Sequence, residues 1–152
     1  MTWKCPQCGA EYPSDEQCRD RFDLCMAMEY ENPTAYGVVH HLSVACSMLQ
    51  HNVYSRDVWL EARRMIAQFI QGGITPAEMR KQNRSRFDSG RRKWSVTKGA
   101  KLSEFDAIEW SRTIAEVRLD NPDIYCADVK LWAMSVLTDT KKLMQQLNIE
   151  PQ

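Results

Sequence analysis

Apolar residues recur every three to four positions through most of this chain, which is the pattern of helices that bury one face. Cap and break signals divide the pattern into six predicted helices. Asn-Pro and Gly-Gly pairs separate several of them, and only Trp94–Thr97 has the composition of a strand. The predicted helices begin near Ser14, Thr34, Ser55, Thr75, Ser103 and Asn121, and the last ends near Leu147. The pattern therefore predicts an all-α fold.

Length and composition are consistent with one domain spanning residues 1–152. A chain of 152 residues with 43% hydrophobic and 26% charged residues is large enough to bury a real core. No apolar run approaches the length of a membrane span, and the first residues lack the pattern of a secretory signal. We therefore expect a cytoplasmic protein with no membrane partner, in which the six cysteines are metal ligands or buried apolar residues, not disulfides.

The net charge is zero, but the charges are unevenly distributed. Residues 79–101 carry nine Lys and Arg against one Asp, a charge of +8, so the remaining residues sum to −8. We predict that this segment is a basic loop between helices. A local cluster of this kind favours contact with an anionic partner or an acidic protein surface.

The clearest candidate for chemistry is the run from Cys5 to Gly9 near the start of the chain, which reads C-P-x-C-G. Two thiolates three positions apart can hold one metal ion from a tight turn, and zinc is the usual occupant. Gly9 gives the backbone freedom directly after the second sulfur. A redox dithiol is the other interpretation, but no strand signal precedes Cys5 and no βαβ pattern follows Cys8. We expect a zinc knuckle over residues 1–13.

A closed tetrahedral site needs two ligands besides Cys5 and Cys8. Cys18 and Cys25 lie on one predicted helix about 10 Å apart, so both cannot reach one ion through bonds of about 2.3 Å. Cys18 is nearer the knuckle and is the expected third ligand. The remaining cysteines sit among apolar helical residues and are expected to pack in the core: Cys25, Cys46 and Cys126.

A histidine is the expected fourth ligand. His40 and His51 share a face of the second predicted helix but lie about 16 Å apart, so only one can join the site. We expect His40 or His41 to complete a Cys3His site. His51 ends its helix, where a histidine interacts favourably with the helix dipole.

These motifs resemble an uncharacterised family of small bacterial proteins. The similarity rests on the C-P-x-C-G turn, a nearby third cysteine, and H-H-L and L-Q-H on one helix, in about the first half of the chain. The resemblance implies a bacterial helical protein and brings no established activity. It also supports one constellation of site residues: Cys5, Cys8, Cys18, His40, His41 and His51.

The basic segment offers a second candidate surface. Arginine forks beside an aromatic residue can bind phosphate and stack on bases. The alternative is an ordinary solvated loop, because no named nucleic-acid motif accompanies the charge. The residues that would contact an anion or nucleic acid are Arg84, Arg86, Arg91, Arg92, Lys93 and Trp94.

Two classes of function follow. The first is a zinc-stabilised binding module that interacts with a protein or nucleic acid and is not an enzyme. The second is a hydrolase-like metal enzyme, in which His40, His41 and His51 leave one coordination position open and Glu29 or Glu31 acts as base. A knuckle that supplies two thiolates is more typical of structural zinc, which favours the binding module. The sequence does not tell whether there is a small-molecule substrate.

Overall fold

The computed structural model describes residues 2–51, 54–83 and 108–147. Within these residues the chain is mostly helical, as predicted, and the helices are joined by short turns. A strand pair, β1 (Trp3–Lys4) and β2 (Glu11–Tyr12), comes first. Five α-helices follow in the described part of the chain: α1 (Cys18–Glu31), α2 (His40–Gln50), α3 (Arg56–Ile70), α4 (Pro76–Asn83) and α5 (Pro122–Gln146). Short 3₁₀ turns cover Gly37–Val39 and Ile114–Glu116.

The core lies where α2, α3 and α5 pack together. Each helix contributes a stripe of fully buried side chains at helical spacing, such as Leu42 and Leu49 on α2 and Val129 and Trp132 on α5. Burying such a stripe stabilises a helix more than its intrinsic propensity does. The helix α2 lies in this core and has histidines at both ends, His40 and His41 at its start and His51 directly after its last residue.

A buried amide ties α2 to the rest of the core. Gln50 is 1% exposed, and its Nε2 donates to the Arg112 carbonyl at 2.7 Å. Its Oε1 accepts a hydrogen bond of 3.0 Å from Trp132 Nε1 on α5. These bonds satisfy an amide and an indole that would be costly to bury unpaired, and they fix the end of α2 next to His51.

The predicted helix starts near Ser55, Thr75 and Asn121 agree with the structure, whereas the second helix begins at His40 and not near Thr34. Asn121 Oδ1 accepts from Ile124 N at 2.9 Å ahead of α5, and Thr75 and Glu78 exchange reciprocal bonds at the start of α4. By contrast, α1 starts at Cys18 and not near Ser14. Here the carboxylate of Asp20 accepts the Gln17 N–H at 3.0 Å and caps the helix.

The prediction of a helix from Ser103 to Leu119 is wrong in its described part, residues 108–119, which contain only the 3₁₀ turn. The backbone there is committed to tertiary bonds. Ser111 N donates to Asp139 Oδ2 of α5 at 2.7 Å, in addition to the Gln50 contact at Arg112. These bonds, and the Thr113–Glu116 capping box of the 3₁₀ turn, compete with a continuous α-helix.

The strand pair is a second difference from the prediction. β1 and β2 are antiparallel, with Trp3 opposite Tyr12 and Lys4 opposite Glu11. Two residues a strand are too few to produce a periodic signal in the sequence. The predicted strand residues Trp94–Thr97 lie outside the described residues. No helix in the described part of the chain combines the length and apolarity needed to cross a membrane.

Candidate metal centre

The strand pair positions the first two cysteines. Cys5 N donates to the Ala10 carbonyl at 2.8 Å and Gly9 N donates to the Cys5 carbonyl at 3.0 Å, which closes a tight turn. Gly9 has φ of +80°, a conformation that costs a residue with a Cβ but not glycine. Cys8 N points at Cys5 Sγ, 3.5 Å away. The turn therefore presents both sulfurs to one side.

Cys18 is the first residue of α1, which brings its sulfur against the knuckle. Its Sγ lies 3.5 Å from Cys8 Sγ and accepts a hydrogen bond of 3.3 Å from the Tyr12 hydroxyl. Trp3 stacks on Tyr12 with ring centroids 5.9 Å apart, which holds the tyrosine in place. All three cysteines are buried, so this contact between sulfurs is shielded from water.

His51 closes the group from the end of α2. Its Nδ1 lies 2.9 Å from the Ser47 carbonyl, an acceptor, so Nδ1 carries the proton. Nε2 is buried, and no hydrogen bond of ordinary geometry reaches it from the described residues. A histidine whose one ring nitrogen donates to a carbonyl, leaving the other free, is in the tautomer that metal ligands adopt.

The four ligand atoms form one compact cluster. One ligand atom each from Cys5, Cys8, Cys18 and His51 lies within 4.8 Å of all the others. Ligands at about 2.3 Å from a tetrahedral zinc ion are separated by roughly 3.8 Å. The observed spacing is therefore close to that of a zinc site. We call these four residues the Cys3His cluster.

The charge states within the cluster are strongly coupled. The hydrogen bond with Cys8 lowers the pKa of Cys18 to about 4, against burial and with help from His51 and Tyr12. The same bond and burial raise the pKa of Cys8. Burial lowers the pKa of His51, but the adjacent Cys18 sulfur and the Ser47 carbonyl outweigh it and bring the value to about 9. The cluster thus already favours one thiolate beside a positive charge.

A groove borders the cluster on the α1–α2 side. It has a volume of about 310 Å³, and Cys18 and His51 form part of its wall together with Phe22, Met48 and Tyr54. The cluster draws its members from the knuckle turn, the start of α1 and the end of α2, so an ion there would connect three successive elements of the chain. An ion so placed would add stability to the N-terminal half of the fold.

His40 and His41 lie at the opposite end of α2 from His51, and the structure does not bring them to the three cysteines. His40 Nδ1 instead contacts Glu29 Oε1 at 2.8 Å. Burial lowers the pKa of His41 to about 4, and His40 and Arg80 add to the shift. The sequence analysis expected His40 or His41 beside the three cysteines and His51 as a helix-dipole cap, whereas in the structure His51 is the histidine that lies with the cysteines.

The three cysteines expected to pack in the core lie outside the Cys3His cluster. Cys25 and Cys46 are buried in the core and are not part of the cluster; burial raises the pKa of Cys25 to about 11. The partly buried Cys126 packs against the core, and its Sγ donates to the Ala35 carbonyl at 3.3 Å. The basic-loop residues all lie outside the described residues: Arg84, Arg86, Arg91, Arg92, Lys93 and Trp94.

Comparison with known protein families gives a match. A family model described as a family of unknown function (DUF5946) matches residues 3–141. No curated protein and no solved structure matches the chain. The match confirms the predicted resemblance to an uncharacterised family, and the matched span includes the whole Cys3His cluster.

Proposed function

The chain belongs to the family of unknown function DUF5946, and we propose that it acts as a zinc-stabilised helical binding module. One zinc ion is held by Cys5, Cys8, Cys18 and His51. The single observation that carries this proposal is the mutual approach of their four ligand atoms to within 4.8 Å.

The donor set supports zinc over other metals. Three thiolates and one imidazole suit zinc in tetrahedral coordination, whereas calcium and magnesium require oxygen ligands. The turn N–H of Cys8 and the Tyr12 hydroxyl both approach sulfur atoms and stabilise negative charge on them. Binding of the ion displaces the remaining thiol protons and the second proton of the His51 ring, so affinity falls as the pH is lowered.

The ligand count supports a structural role for this ion. Four protein ligands fill a tetrahedral shell, whereas catalytic zinc usually keeps three and a water. The metal enzyme that joins His40, His41 and His51 around one ion is disfavoured, because His51 lies with the cysteines and His40 contacts Glu29. The zinc in this proposal holds the strand pair against α1 and α2.

The proposed partner is a protein or a nucleic acid that contacts the basic segment of residues 79–101. The support is its charge of +8 beside a remainder of −8. Contacts to phosphate would make the affinity for nucleic acid fall steeply with salt concentration. Binding to an acidic protein surface would instead depend on arginine–carboxylate pairs.

Two measurements test the two halves of this proposal. Elemental analysis of the purified protein should give one zinc ion per chain, and the Cys5→Ser/Cys8→Ser variant should have none; unchanged zinc content in that variant would exclude the site.

Single- and double-stranded oligonucleotides, titrated at low salt, should bind wild type more tightly than the Arg91→Ala/Arg92→Ala/Lys93→Ala variant. Failure of wild type to bind, or equal binding by both, would remove nucleic acid as the partner and leave a protein.

A further inference from the structure

A second groove lies at the other end of α2 from the Cys3His cluster. Its volume is about 740 Å³, and its wall includes Met26, Tyr30, His40, His41 and Arg80. Glu29 also contributes to the wall, although its side chain is only 2% exposed. A large groove that combines a buried carboxylate with two histidines is a candidate for chemistry that the Cys3His cluster does not explain.

The carboxylate of Glu29 is fixed by three donors from other elements. Ser43 Oγ donates to Oε2 at 2.6 Å, and the Tyr125 hydroxyl donates to the same oxygen. Its other oxygen, Oε1, contacts His40 Nδ1 at 2.8 Å. The carboxylate is therefore rigidly oriented, and its negative charge is buried next to a single imidazole.

This arrangement sets the tautomer of His40. A carboxylate accepts, so Nδ1 carries the proton and Nε2 is left with its lone pair. The side chain of His40 is 49% exposed and lines the groove, so that lone pair is accessible. A histidine that donates one ring N–H to a buried carboxylate is the usual arrangement of a histidine that binds a metal through its other nitrogen.

His41 supplies a second uncommitted imidazole in the same groove. Its ring makes no hydrogen bond to any described residue, and it meets the His40 ring edge-on with centroids 5.7 Å apart. Two imidazoles that share one ion through bonds of about 2.1 Å have centroids roughly 5 Å apart. The observed separation is close to that value, and both rings line the same groove.

We propose that His40 and His41 bind a second divalent transition-metal ion in this groove, with Glu29 as the residue that positions His40. Two protein ligands leave the other coordination positions to water or to a small ligand, which the groove has room to hold. Arg80, exposed on the wall, would pair with an anionic group on such a ligand. The site is independent of the Cys3His cluster, about 16 Å away along α2.

Nickel is a suitable probe because imidazole ligands bind it well. It can also be distinguished by elemental analysis from the zinc that the protein already holds. Wild type is first loaded with zinc until the Cys3His cluster is full, and Ni²⁺ is then titrated by calorimetry. We expect one further ion per chain, with zinc retained by elemental analysis. His40→Ala and His41→Ala should each weaken nickel binding at least about tenfold, and Glu29→Gln should weaken it about 10- to 100-fold.

Ser43→Ala is the matched control. It removes a donor to the same carboxylate but leaves the Glu29–His40 contact, so it should lower the thermal stability while nickel binding stays within about threefold of wild type. Absence of a second ion in wild type, or undiminished nickel binding in either histidine variant, would overturn the proposal. Neither result bears on the zinc content of the Cys3His cluster, so the two proposals fail separately.

Discussion

His51→Ala is the substitution that separates the zinc site seen in the structure from the site expected from the sequence. It removes the imidazole that approaches the three sulfurs to within 4.8 Å and leaves all three cysteines in place. It also removes the hydrogen bond from Nδ1 to the Ser47 carbonyl. The first loss affects only the zinc form, whereas the second affects the protein with and without zinc.

The size of the effect follows from the ligand count. Structural zinc sites bind with apparent free energies of about 10–16 kcal/mol, which is about 2.5–4 kcal/mol for each of four ligands. Loss of one ligand should therefore weaken zinc binding about 10²- to 10³-fold. Loss of the Ser47 bond should cost about 1 kcal/mol of unfolding free energy in the metal-free protein.

Competition with a chromophoric chelator measures the zinc affinity. Urea unfolding of the metal-free proteins measures the stability lost with the hydrogen bond from His51 Nδ1 to the Ser47 carbonyl. His40→Ala is the matched control, because it removes a histidine from the other end of α2 that also makes one short polar contact. His40→Ala should retain the wild-type affinity for the tightly bound zinc. Wild-type affinity in His51→Ala, with weakened binding in His40→Ala, would refute the assignment of the fourth ligand.

Three further variants test other parts of the structure. Gly9→Ala imposes a Cβ on a residue with φ of +80°, at a cost of about 1–2 kcal/mol; zinc affinity should fall about 5- to 30-fold, and an unchanged affinity would contradict this turn. Gln50→Leu leaves Trp132 Nε1 without its acceptor and should lower the unfolding free energy in urea by about 1–3 kcal/mol; no loss would contradict the buried network. The hydrogen bond from Arg118 lowers the pKa of Asp128. The ion pair therefore contributes its full stability above the ordinary carboxyl pKa, and this contribution is lost as the pH falls through the lowered pKa of Asp128. Asp128→Asn should reduce stability at pH 7 and flatten its decline between about pH 5 and pH 2, and a slope equal to wild type would count against the ion pair.

The parts of the fold that were predictable are those encoded in local pattern. Pro122 after a capping Asn121, and the Thr75–Glu78 box, specify helix starts that the structure retains. The segment containing Arg112 was not predictable, because its backbone is bound by side chains of distant helices, and tertiary bonds of this kind leave no periodic signal.

The site was predictable to the extent that its ligands are close in sequence. Cys5, Cys8 and Cys18 follow from spacing and reach, and the structure brings them together. The choice among histidines depends on which end of α2 packs against the knuckle, which only the assembled helices decide. The one available signal was that His51 ends its helix, where Nδ1 can donate to a carbonyl of the last turn and present Nε2.

X-ray absorption spectroscopy at the zinc edge of the purified protein tests the central claim most directly. The Cys3His cluster predicts a first shell of three sulfur atoms at about 2.3 Å and one nitrogen at about 2.0–2.1 Å. A shell of two sulfurs with two nitrogens or oxygens, or a shell without sulfur, would contradict it.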